Sequence, residues 1–84
     1  MAEGWIKKYC ITKADGTPVD PKAIYFVLRL DEDPHAREAI RAYAWSIRSE
    51  NRNFSDELLK LADYIEEGTE EMIEWYRHGA QEKR

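Results

Sequence analysis

The sequence predicts a small α+β domain, an N-terminal antiparallel β-hairpin followed by two to three amphipathic α-helices. Three observations carry that expectation. Two runs rich in aromatic and β-branched residues lie before residue 32, a turn-forming tract separates them, and apolar residues recur at helical spacing after Pro34.

The first strand is expected over residues 5–12. Trp5, Lys7, Tyr9 and Ile11 share one face and Ile6, Lys8, Cys10 and Thr12 the other, a mixed pattern that suits a charged edge strand. Asp15-Gly16 signals a turn, which Pro18, Asp20 and Pro21 extend into a loop. The second strand is expected over 23–31, with Ile24, Phe26, Leu28 and Leu30 facing the core and Tyr25, Val27 and Arg29 turned outward. Its outer face is half apolar, so water is not its natural neighbour.

Asp33-Pro34 then reads as a helix start, with a capping carboxylate before a residue suited to the first helical position. That helix is expected over 34–49, its stripe formed by Ala36, Ala39, Ile40, Tyr43, Ala44 and Ile47. A second helix is expected over 55–67, capped by Ser55 and stopped by Gly68, with Phe54, Leu58, Leu61, Ala62 and Ile65 inward. A third is expected over 70–79, with Met72, Ile73 and Tyr76 apolar, and 80–84 as a frayed tail.

All 84 residues fit one domain. A chain of this size buries only about 60–65% of the surface its unfolded form exposes, so its stability margin is thin. Cys10 is the single cysteine, which excludes a disulfide scaffold and points to a cytoplasmic setting. No apolar run reaches spanning length, so no membrane is expected. The net charge of −4, from 17 acids against 13 bases, disfavours a nucleic-acid backbone as partner.

Catalytic chemistry finds no foothold in this pattern. His35 and His78 stand in no nucleophile or metal motif, and Cys10 suits a packed position better than a reactive one. Asp31, Glu32, Asp33 and His35 offer ligand atoms, but their spacing matches no calcium loop and helix capping accounts for them. No catalytic residue, metal or cofactor is therefore expected, and the chain does not read as an enzyme.

Surfaces are more informative. On the first helix Trp45 falls opposite the apolar stripe, beside Arg41 and flanked by Arg37 and Arg48. Trp and Arg are the residue types most enriched at interface hot spots, so Trp45, Arg41, Arg37 and Arg48, with Tyr25 and Trp75, form the candidate interaction surface. The competing reading has Trp45 covered by the third helix with Trp75. Arg29, His35 and Arg37 form a candidate anion site near a helix start, although neighbouring acids offer those arginines simpler partners. A two-stranded hairpin is marginal alone, which suggests a homodimer formed by strand pairing or through the sheet face.

The stretch Ala14-Asp15-Gly16-Thr17-Pro18-Val19-Asp20-Pro21, then Tyr25 to Asp31, then Asp33-Pro34-His35-Ala36-Arg37 resembles small uncharacterised bacterial and phage proteins, often encoded beside prophage genes. The resemblance covers about residues 9–65 and carries no functional residue across. It implies a cytoplasmic accessory protein that acts on host machinery by binding. The expected function is thus a non-enzymatic binding module that occupies a host protein's surface. The alternative is a module that binds or sequesters a phosphorylated metabolite or nucleotide at a dimer junction, through Arg29, His35, Arg37 and Tyr25.

Overall fold

Among the described residues three helices follow one another: α1 (Pro34–Ile47), α2 (Arg52–Glu67) and α3 (Glu70–Arg77). The computed structural model describes residues 9–78. Among these residues there is no β-strand, which overturns the α+β expectation. The expected strand over 23–31 does not form. Of the expected strand over 5–12, Tyr9 to Thr12 carry none, and 5–8 lie outside the described residues.

The physical reason lies in local competition. Between residues 9 and 33 the backbone bonds among the described residues close turns: Gly16 N–H to Lys13 O, Ala23 N–H to Asp20 O and Asp33 N–H to Arg29 O. Two aspartates reinforce them, Asp15 accepting from Thr17 N–H at 3.0 Å and Asp20 from Lys22 N–H at 2.8 Å. Such side-chain bonds offer the backbone an alternative to a ladder. Strand propensity is decided by what a strand packs against, and the helices pack against one another instead. Ile24 and Phe26, expected to face the core, stand 85% and 72% exposed.

Each helix boundary has a visible cause. Asp33 caps α1 by accepting the His35 N–H at 2.9 Å, with Pro34 at the first position. Asn51 caps α2 by accepting the Phe54 N–H at 3.0 Å, so this helix begins earlier than the Ser55 start expected from sequence. Gly68 ends it at φ 74°, where Gly68 N–H reaches Ile65 O and Thr69 N–H reaches Tyr64 O. That pair of bonds is a Schellman motif, and its left-handed residue is strained for anything but glycine. In α3, Glu70 and Glu71 open the helix and Arg77 closes it, charges that complement the helix dipole.

The core is made of small residues. Ala36 and Ala44 of α1 and Ala62 of α2 are fully buried, together with Ser55. Ile40, Ile47, Leu58, Leu61, Ile65, Met72, Ile73 and Tyr76 are half-buried around them. Small side chains at a helix seam let the backbones approach closely, but they remove little apolar area from water. No helix among the described residues is long and apolar enough to cross a membrane.

Candidate functional site

The arginines expected to face outward from α1 line the seam with α2. Arg41 donates from Nη1 to Glu66 Oε2 at 3.0 Å and from Nη2 to Glu66 Oε1 at 2.9 Å, and it also reaches Asp63 Oδ1 at 2.9 Å. Arg37 donates to Glu66 Oε2 at 3.3 Å and to the Leu30 carbonyl at 2.8 Å. One acid, Glu66, thus receives two arginines spaced four apart on one helix face. The Leu30 bond ties the segment before α1 to the helical unit.

Electrostatics follow that geometry. Hydrogen bonding to Arg41 holds the Glu66 carboxyl below its ordinary value, and Glu66 in turn raises the Arg41 guanidinium. Fork-to-fork pairing of this kind has more directional specificity than a lysine pair.

Arg48 builds the other end of the seam. Its Nη1 donates to the buried Ser55 Oγ at 3.1 Å and lies 2.9 Å from Asp56 Oδ1. The same guanidinium stands 4.9 Å from the centroid of the Trp45 ring. Trp45 itself is 61% exposed. The α2 start therefore anchors Arg48, and Arg48 supports one face of an indole that reaches into solvent.

The remaining candidates are placed apart from this corner. Trp75, half exposed, meets Tyr76 edge-on at 5.0 Å. Tyr76 also meets Tyr64 at 6.3 Å, and its hydroxyl donates to the Glu57 carboxylate. Burial, and then that carboxylate, push the Tyr76 phenol above its ordinary value. Tyr25 belongs to the segment before the helices and is exposed. Of the candidate anion-binding groups, Arg29 is engaged by Asp31 at 2.9 Å and Glu32 at 3.2 Å, Arg37 by Glu66 and Leu30, and His35 lies exposed at the α1 start.

Four groups that the sequence reading did not assign to this surface take part: Ser55, expected only as the α2 cap, Asp56, Asp63 and Glu66. The signal was present as acids three apart on α2, Asp63 and Glu66, matching arginines four apart on α1, Arg37 and Arg41. Among the described residues no cluster of three or more His, Cys, Asp or Glu is placed to hold a metal ion. Cys10 is a free, exposed thiol, and His78 pairs with Glu74 one helical turn earlier at 2.8 Å. Comparison with protein-family models, curated proteins and solved structures finds no match to this chain.

Proposed function

We propose that this protein is a non-enzymatic binding module that acts by occupying the surface of a partner protein, a host protein in the phage setting that the sequence resemblance implies. The observation that supports it best is the Trp45–Arg48 pair. A large aromatic ring stands 61% exposed, held from one side by a guanidinium that Ser55 and Asp56 fix in place. A preordered Trp beside an anchored Arg loses little side-chain freedom on binding, and these are the residue types that dominate interface energetics.

Arg37 and Arg41 then act on this surface from behind, by fixing α1 against α2 rather than by touching the partner. Tyr25 and Trp75 add exposed aromatic area elsewhere. We also read the chain as a self-associating one. What supports this reading is the exposed apolar surface at Ile24, Tyr25 and Val27, a kind of surface that marks protein contacts when it gathers in a patch.

The test is native mass spectrometry of the protein purified with its bound partners, repeated for Trp45→Ala. The partner peak is expected to fall at least tenfold for the variant, while its circular dichroism and melting temperature stay unchanged. Full retention of the partner by a folded Trp45→Ala protein would remove Trp45 from the interface.

A further inference from the structure

The last helix is tied to the rest of the helical unit far less firmly than the first. Arg37, Arg41 and Arg48 each pair across the α1–α2 seam, and fully buried alanines lie between them. Among the described residues α3 packs against α2 and not against α1. It holds no fully buried residue, and only Met72, Ile73 and Tyr76 of it are half-buried. An eight-residue helix does not hold itself together in water, so α3 is helical because it is docked.

The charges of α3 are settled inside it. Arg77 lies 2.7 Å from both Glu70 and Glu74, and His78 lies 2.8 Å from Glu74. None of these pairs reaches α2. Arg77 also attracts Asp31, as the weakest influence on that carboxylate. The polar tie from α3 to α2 is the Tyr76 hydroxyl, which donates to the Glu57 carboxylate while the ring meets Tyr64.

The joint between the two helices has room to move. Gly68 stands at φ 74° with nothing within 4 Å of the space a Cβ would fill. Thr69 precedes α3 without a capping side-chain hydrogen bond. Glycine changes its backbone angles at little steric cost, and hinges commonly sit at the few residues that end an element.

We propose that α3 is a lid on α2, opening as one unit about Gly68–Thr69 while α1 and α2 stay folded, with the Tyr76–Glu57 hydrogen bond as its clasp. Closed, the lid covers a strip of α2 on which Glu57, Leu61 and Tyr64 follow one another at steps of four and three residues, one helix face. Open, it presents a carboxylate, an aliphatic side chain and a phenol in a row. That strip is separate from the Trp45–Arg48 pair, so the lid changes the surface of the protein without disturbing the arginine seam.

Thiol labelling of the full chain tests this, in a Cys10→Ser background that removes the exposed native thiol. Ile73→Cys puts a thiol on the half-buried side of the lid, and Ala62→Cys puts one in the buried seam. The Ile73→Cys thiol is expected to react about tenfold faster or more, because local opening is more frequent than global unfolding. Tyr76→Phe and Glu57→Ala, each added to Ile73→Cys, are expected to speed labelling about three- to fivefold, the equilibrium equivalent of one hydrogen bond. Both together should add nothing further, since they remove the same contact, and neither should speed labelling of Ala62→Cys. Equal rates at the two thiols would overturn the lid, because α3 would then open only with the whole helical unit. An Ile73→Cys rate that neither clasp variant changes would show a thiol reached with the helix in place, and would overturn the lid as well. Additive effects of the two variants would overturn the clasp.

Discussion

The helical unit from Pro34 to Arg77 and the stretch from Tyr9 to Asp33 hold similar proportions of apolar residues and spend them on opposite ends. In the helices, alanines at 36, 44 and 62 sit fully buried at the seam while larger residues close around them. In the preceding stretch, Ile24, Tyr25, Phe26 and Val27 stand exposed, and the backbone bonds among the described residues close turns. Hydrophobicity alone therefore does not decide burial. What differs is that each helix satisfies its own backbone and needs a neighbour only for its side chains, whereas an extended segment needs a neighbour for both.

Overpacking separates the two regions most sharply. Ala44→Leu at the seam should cost about 1–3 kcal/mol, because close-packed helices have no room for three more carbons. Thermal unfolding by circular dichroism reads this as a lower Tm. Ile24→Ser in the exposed segment should leave the helical melt of the monomer within about 0.5 kcal/mol of the parent. Equal effects at both sites would show that residues 9–33 fold as one cooperative unit with the helices.

The two left-handed glycines among the described residues give the next largest contrast. Gly68 at φ 74° and Gly16 at φ 83° have nothing within 4 Å of the space a Cβ would fill, so alanine brings backbone strain and no clash. Gly68→Ala strains the Schellman turn that ends α2 and should cost about 1 kcal/mol. Gly16→Ala strains a turn that carries no helix packing, and the helical melt should not move. A matching loss from Gly16→Ala would couple that turn to the helices.

Helical periodicity made the helices legible in the sequence, because the 3.6-residue repeat and the Asp33-Pro34 and Gly68 signals are local properties. Asn51 displaced Ser55 as the α2 cap because both suit the position, and burial of Ser55 against Arg48 settled which one took it. The strand signal at 23–31 was equally strong as a pattern and failed as an element, since a strand exists only through a partner. The arginine stripe was misread for a related reason. A helical wheel shows which residues share a face, but Asp63 and Glu66 on another helix decide whether that face meets solvent or a seam.

The ion-pair layer should tie stability to pH within the helical unit. Glu66 has its folded pKa depressed below the ordinary 4.5 by Arg41 and, less strongly, by Arg37. A depressed carboxyl contributes stability above its unfolded value and loses it as pH falls through the folded one. Helical stability should therefore be flat above about pH 4.5 and decline below it. Glu66→Gln should flatten that decline, and its Tm should no longer respond to moderate salt as the parent's does. An unchanged acid limb in Glu66→Gln would assign the pH dependence to other carboxylates, Asp31 and Glu74 among them.

The smallest effect distinguishes α3 from the seam. Tyr76 donates its hydroxyl to the Glu57 carboxylate and packs against Tyr64 and Trp75, so one side chain joins α3 to α2. Tyr76→Phe keeps the ring contacts and removes only the hydroxyl. A hydrogen bond to a charged, partly buried acceptor contributes of the order of 1 kcal/mol, and Glu57 regains water when it is lost, which lowers that figure. The global melt should shift by a few degrees at most. Local opening should respond more, because α3 docks through few groups, and amide exchange in residues 70–77 should accelerate while the Ala44 and Ala62 turns stay protected. Uniform acceleration across α1 and α2 would instead make the Tyr76–Glu57 contact part of the cooperative core rather than a hinge for the last helix.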